Sequence, residues 1–285
     1  MQRITSREHP YIKYLVKLQK SARLREQSSS TVLDGIHLIQ SYLAADTDLT
    51  APKSIIVSET GQKNSDILSL VNTCRQFPET VTRVFRVTDH VFEKISPVRT
   101  PTGILACISV PAITNQPGSS VSKSASCILL ESIQDPGNLG AIIRTAAAAD
   151  ISDIFLSKDC TDAWSPKTLR AAMGAHFFTT IHNNCNLIEI AGSFHGQVLA
   201  ASPKGSQTLY QSDLNKPTAF IFGNEGAGLS KPMLQAADRA IAIPMPGQTE
   251  SLNAAAAAAV FLFEKVRQQW QAHHMNTQFQ GSENI

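Results

Sequence analysis

The sequence predicts an α/β protein in two parts: a mixed α/β domain over 1–111 and a second α/β domain over 127–285 with a mainly parallel sheet. Three observations carry this. After residue 127, strand-like and helix-like segments alternate. The strands there are unbroken apolar runs, as expected where helices cover both faces of a parallel sheet. Between the two parts, Pro111–Ser126 (PAITNQPGSSVSKSAS) is rich in Ser, Pro and Gly and has no hydrophobic period, so 112–126 reads as a linker.

The elements follow in order. Residues 11–25 read as a basic amphipathic helix, and Leu33–Ala44 as a second helix behind Asp34 and Gly35. Ser54–Ser58 (SIIVS) is a β-branched strand, 66–75 a helix, 81–87 a strand. Asp89–Ile95 is a short helix with Thr88 as its N-cap, and Gly103–Val110 is a strand. In the second part, Cys127–Glu131, Ile154–Ser157, Phe177–Ile181, Val198–Ala201, Ala219–Gly223 and Ala240–Ile243 read as strands. Leu139–Ala149 reads as a helix, and another starts at Ser165 with Pro166 in its first turn. Leu252–Gln269 is a long helix ahead of a polar, frayed tail.

The chain has 285 residues, enough for two cores, and is 42% hydrophobic and 17% charged. No apolar run reaches the roughly 18 residues of a membrane span, and residues 1–14 lack a signal-peptide core, so a cytoplasmic location is expected. The five cysteines include no CxxC pair and the eight histidines no HExxH, so neither a disulfide framework nor a metal site is expected. Net charge is +2, yet residues 1–26 hold Arg3, Arg7, Lys13, Lys17, Lys20, Arg23 and Arg25 against Glu8 and Glu26, a local +5. As an electrostatic footprint this arm suggests a polyanion. Taken alone it reads rather as a solvated amphipathic helix with Ile12, Leu15, Val16 and Leu18 as its apolar stripe.

Three segments of the second part carry candidate chemistry. Each follows an expected strand, where ligand sites of open α/β sheets gather. In the first, 131–146, Pro136, Gly137 and Asn138 turn into a helix with Asn138 suited to its N-cap, and Arg144 interrupts a face of small and apolar residues. By itself Arg144 reads as a snorkelling surface arginine. In the second, Gly223-Asn224-Glu225-Gly226-Ala227-Gly228, three glycines surround one carboxylate. Glycine permits positive φ and close approach of a ligand, or simply a strand-to-helix turn. The pattern is neither GxGxxG nor a Walker loop. In the third, Ile243-Pro244-Met245-Pro246-Gly247 leads through Ser251, Leu252 and Asn253 into Ala254–Ala259. Ile243, Met245 and Leu252 suit an apolar clamp on an adenine ring, and the alanine run implies a close neighbour or only helix propensity.

Together these segments resemble the three motifs of the SpoU (TrmH) family of RNA ribose methyltransferases in the SPOUT class. The likeness is N-x-G-x-x-x-R-T-A at 138–146, F-G-x-E-G-x-G at 222–228, and I-P-M with S-L-N at 243–253. The N-terminal part is similar to that family's ribosomal-protein-like substrate-binding domain through Ile4-Thr5-Ser6, Lys13, Leu18, Leu33–His37 and Gly103–Ala106. Asp34-Gly35 stands where many relatives carry Glu-Gly, and Ala254-Ala255 where Val-Ser is usual.

The resemblance implies an RNA 2′-O-ribose methyltransferase using S-adenosylmethionine, without metal. It implies a deep trefoil knot in the second domain and a homodimer built on it. Ribosomal RNA is the expected substrate, with transfer RNA and a resistance-conferring rRNA modification as alternatives. Arg144, Asn138, Glu225, Ser251 and Asn253 are the implied catalytic polar groups; Gly223, Asn224, Gly226, Ile243, Met245 and Leu252 are the implied cofactor contacts. Two roles stand open for Arg144. It removes the hydroxyl proton with help from a substrate phosphate, or it clamps that phosphate and polarises the hydroxyl, since a guanidinium is a poor base. A non-catalytic RNA-binding protein, a base methyltransferase and a dinucleotide oxidoreductase are the competing classes. The intact motif residues and the missing GxGxxG weigh against them.

Overall fold

The computed structural model describes residues 2–45, 51–75, 82–98, 100–111 and 125–280. Residues 112–124 of the expected linker, Val81 of an expected strand and the last five residues of the tail lie outside them. The chain divides into two compact units, Met1–Ala112 with Asp162–Phe177, and Ile113–Thr161 with Phe178–Ile285. A linear division by the linker does not anticipate that 162–177 folds with the first unit.

The first unit holds a five-stranded mixed sheet of order β1-β4-β3-β5-β2. Its strands are β1 (Gln2–Ile4), β2 (Ser30–Asp34), β3 (Ser54–Ser58), β4 (Arg83–Val87) and β5 (Ile104–Ser109). β1, β4 and β3 run parallel, and β5 is antiparallel to both β3 and β2. The expected helix over 11–25 is two helices, α1 (Pro10–Lys20) and α2 (Ala22–Ser28). Ser21 is the reason: it leaves helical geometry and its hydroxyl accepts from Leu24 N at 3.1 Å, starting a new helix. α1 buries Ile12, Leu15 and Leu18 against the sheet.

The helix expected from Leu33 begins only at α3 (Ile36–Ala44). Residues 30–34 are instead a buried β-branched strand paired with β5, and Gly35 turns the chain at φ 101°. α4 (Ser65–Arg75) and α5 (Asp89–Ile95) complete this part, with Thr88 capping α5 as expected. Ser165 and Pro166 start α7 (Pro166–Ala172), also as expected, after α6 (Pro136–Ala148) of the second unit. The strand expected over 177–181 starts late, because Ala175–Phe178 is a 3-10 turn after Gly174 at φ 87°. There the ring of Phe177 meets Tyr42 edge-on at 5.2 Å, and His176 is buried, donating from Nε2 to Ala163 O at 2.7 Å.

The second unit is built on a seven-stranded sheet of order β10-β12-β9-β11-β6-β7-β8, parallel at every pairing. Its strands are β6 (Cys127–Leu130), β7 (Asp153–Leu156), β8 (Thr180–His182), β9 (Gln197–Ala201), β10 (Gln207–Thr208), β11 (Thr218–Phe222) and β12 (Arg239–Ala242). Both faces are covered, which is why the strands read as continuous apolar runs. One face packs Leu129, Ala219 and Ile221 against α8 (Leu187–Ser193) and α9 (Lys231–Ala236). On the other, Phe220 and Phe222 meet Phe261 of α10 (Ala254–Gln280) edge-on at 6.1 and 5.6 Å. α6 (Pro136–Ala148) packs against α10, so it is the close neighbour that the alanine run admits. Neither α8 nor α9 was expected from the pattern, since each is under two turns of mixed residues.

Candidate active site

The site lies at the carboxyl ends of the central strands β6, β11, β9 and β12 in the second unit. The loop after β6 enters α6 through Asp135, whose Oδ1 accepts from Gly137 N at 2.6 Å and Asn138 N at 3.1 Å. Asp135, not Asn138, is therefore the N-cap, with Pro136 at N1 where its missing N–H costs nothing. That frees the Asn138 side chain, in the first turn, to face the neighbouring loops.

After β11 the chain makes a tight loop closed by a mutual backbone pair, Asn224 N to Gly228 O at 3.1 Å and Gly228 N to Asn224 O at 3.0 Å. Asn224 Oδ1 accepts from Gly226 N and Ala227 N, both at 2.9 Å, and its Nδ2 donates to Ser132 O at 2.8 Å. A Cβ on Gly223 would stand 2.6 Å from Gly228 C and O, so this position admits only glycine. Ser132 itself sits at φ 55°, a conformation that non-glycine residues adopt at a cost and that gathers at functional loops.

The loop presents Glu225 to the start of α6. Its carboxylate accepts from Gln134 N at 3.1 Å, Asp135 N at 3.1 Å and Asn138 Nδ2 at 2.9 Å. Partial burial opposes its charge, but these hydrogen bonds outweigh it and hold the carboxyl below the usual carboxylate range. Asn138 Oδ1 in turn accepts from Asn253 Nδ2 at 2.9 Å. Asn253 Oδ1 caps α10, accepting from Ala255 N at 2.9 Å and Ala256 N at 3.3 Å. Only one orientation of both amides satisfies this chain. Ionised Glu225 can only accept, and the backbone N–H groups of α10 can only donate. The helix expected near Ser251 accordingly starts at Ala254.

Next to this link lies a cavity of about 670 Å³. Gly223, Asn224, Glu225, Gly226, Ile243, Met245, Ser251 and Leu252, all expected at the site, line it. Asn138 and Asn253 join the site through Glu225. Arg144 does not line the cavity; it is exposed, one and two-thirds turns (about 9 Å) along α6 from Asn138. Among the described residues it makes no hydrogen bond or ion pair.

Polar lining residues that the motifs did not single out are Ser202, Lys204 and Glu250. Two further supports were missed. Glu131 accepts from Ser230 N at 2.8 Å and Ser230 Oγ at 2.6 Å, tying the ends of β6 and β11 together. Asp135 was missed as the cap. Asp before Pro, and Ser two residues before Pro232, are helix-start signals that could have found both.

The cavity falls in the size range of cofactor pockets. Ile243, Met245 and Leu252 give it an apolar wall, and Glu250 and Lys204 give it both signs of charge. Such a lining fits a molecule with a flat apolar ring at one end and a zwitterion at the other, as S-adenosylmethionine has.

Residues 125–263 match the model of the SpoU rRNA methylase family, and residues 9–106 match that of an MRM3-like substrate binding domain. A tRNA/rRNA methyltransferase of Synechocystis, itself uncharacterized, is 34% identical over 94% of this chain and 95% of its own length. The chain belongs to the SpoU rRNA methylase family. Within it, the 23S rRNA (guanosine(2553)-2′-O)-methyltransferase RlmP of Bacillus subtilis is 27% identical over 92% of this chain and 98% of its own. The crystal structure of an AdoMet-bound rRNA methyltransferase from Sinorhizobium meliloti superposes with a TM-score of 0.76 at 28% identity, covering 93% of this chain and 97% of that one. The three SpoU motifs of this chain are the three loops joined through Asn138.

Proposed function

We propose that this chain is an S-adenosylmethionine-dependent methyltransferase acting on a ribose 2′-hydroxyl of ribosomal RNA. The observation that supports this best is the link from Glu225 through Asn138 to Asn253, which draws three family motifs to one edge of the cavity. When bound, S-adenosylmethionine supplies an electrophilic methyl on its sulfonium. Ile243, Met245 and Leu252 would hold the adenine, and the Gly223 loop would meet the adenosyl part through its backbone. Ser251, Asn138 and Asn253 orient the polar groups at the reacting end, with Glu225 fixing the amides.

Arg144 faces solvent with its donors unspent, so it is free to meet the RNA. It clamps the phosphate beside the target ribose, which aligns the 2′-oxygen for in-line attack and leaves the departing hydroxyl proton to that phosphate. The reading includes a homodimer through the second unit, where Phe263 and Trp270, seven residues apart on α10, are 49% and 63% exposed. It also includes a knotted C-terminal chain and a location in the cytosol. No helix among the described residues is long and apolar enough to cross a membrane.

The test is methyl transfer from labelled S-adenosylmethionine to total unmodified RNA, for wild type and Arg144→Ala. Incorporation into one rRNA species, at a nucleotide resistant to alkaline cleavage and lost in the variant, is expected. Label in transfer RNA or on a base would replace this reading. Light scattering at a twofold monomer mass is expected for the dimer.

A further inference from the structure

We infer that Arg3 and Arg86, side by side on β1 and β4 of the first unit, form a binding site for a phosphodiester group of the RNA. The inference rests on the RNA methyltransferase reading and adds an RNA contact in the first unit.

Arg3 is the register partner of Arg86, and Arg86 is that of Val57 on its other side. Phe85 and Val87, which flank Arg86, belong to the core under α1, as does Ile4 next to Arg3. Side chains alternate along a strand, so Arg3 and Arg86 both point to the opposite face. The strands are about 4.8 Å apart. Two like charges directly opposite one another destabilise a sheet unless something answers them.

Among the described residues, only one of the two is answered. Arg3 Nη2 reaches Glu59 Oε1 at 3.2 Å. Arg86 makes no hydrogen bond or ion pair among the described residues, and its Nε is closed to solvent without a partner. On the turn after β3, Gln62 Nε2 is a second closed donor without a partner among the described residues. The carboxylate of Asp89 is already committed to Thr60 N and Oγ1 at 2.9 and 2.7 Å, and Arg7 to His90 O at 2.8 Å.

Unpartnered buried donors of this kind are uncommon and costly, and all of them here call for acceptor oxygens. The planar fork of arginine matches phosphate in shape as well as charge. β1 is the edge strand of its sheet and Arg3 on it is exposed, so the Arg3 end of the pair is open to a ligand as long as a nucleic acid backbone.

The test uses the full chain as wild type, Arg86→Gln, Arg3→Gln, the double variant and Arg86→Lys. Binding of an unmodified large-subunit rRNA transcript is followed from 50 to 200 mM salt. Each lost phosphate contact lowers the salt slope by about 0.7–0.9. The double variant should bind about tenfold more weakly, with a slope lower by that amount or more, and its affinity for S-adenosylmethionine should not change. Arg86→Lys should keep the slope and lose part of the affinity. Unchanged transcript binding in the double variant overturns the site. So does calorimetric binding of inorganic phosphate that these variants abolish while transcript binding stays intact, which would make the ligand a free anion. A wild type that binds no transcript sinks this site and the RNA methyltransferase reading together. If Arg86→Gln lowers Tm, the exposed Arg3→Gln decides alone.

Discussion

Asn138 accepts a hydrogen bond from Asn253 at 2.9 Å, across 115 positions of sequence. The same amide donates to Glu225, so one side chain of the first motif touches both of the others. Asn138→Ala breaks both bonds at once. Methyl transfer should fall by about 100-fold, the cost of displacing reacting groups by roughly an ångström. Affinity for S-adenosylmethionine should fall far less, since the cavity wall is untouched. Asn138→Asp sets a second carboxylate against Glu225, so its defect should be deepest at pH 8 and shrink as the pair takes up a proton toward pH 5. Single-turnover rates beside calorimetry separate these effects.

Gly223→Ala tests the loop itself. The added Cβ meets rigid backbone at 2.6 Å rather than a side chain that can turn away. The loop must shift, at about 1–3 kcal/mol. Cofactor binding should weaken at least tenfold and Tm should fall. An unchanged calorimetric Kd would show that the cofactor does not depend on this loop.

His176 should make the first unit acid-sensitive. Burial lowers its pKa from 6.5 to about 4, against the pull of Ala163 O and Asp162. Between those values the unfolded chain binds a proton that the folded chain refuses. Stability is therefore complete above pH 6.5 and declines as pH falls toward 4, by about 3 kcal/mol in all. His176→Gln should flatten that decline relative to wild type, as read by urea unfolding at pH 7, 5.5 and 4.5.

Lys265 anchors α10. Its buried Nζ donates to Leu214 O at 2.6 Å and Lys216 O at 2.9 Å. Burial lowers its pKa from 10.5 to about 8, with Asp213 opposing. Between pH 8 and 10.5 the unfolded chain holds the extra proton, so this group adds stability as pH rises through that window. Lys265→Met leaves two carbonyls without their donor. It should cost about 2–4 kcal/mol at pH 7 and remove the alkaline gain.

Most of the second sheet was legible because apolar strands are local signals; β10, two polar residues long, and the late start of β8 were not. Errors came where one residue redirects the chain. Gly35 separates a strand from a helix that apolar periodicity runs together, and Ser21 restarts a helix that the charge pattern carries through. At the site, residue identities were legible from the motifs, but their linkage was not. Nothing near Asn138 in sequence announces Glu225 or Asn253. The cap was misassigned because Asn and Asp are equally good caps, and the choice fell to the Pro at 136. Arg86 escaped notice because a lone arginine in a strand carries no signal until its register partner is known.

The segment 162–177 leaves the second unit after β7 and returns before β8. The chain thus passes between the units three times, not once. Exchanging the first unit for that of another family member is then no single splice at the linker. A graft that swaps only residues up to 112 keeps Trp164, His176 and Phe177 from one parent and offers them a surface from the other. Chimaeras of this family should tolerate such exchange only when residues 162–177 travel with the first unit, so this stretch and the N-terminal residues it packs on must vary together between relatives.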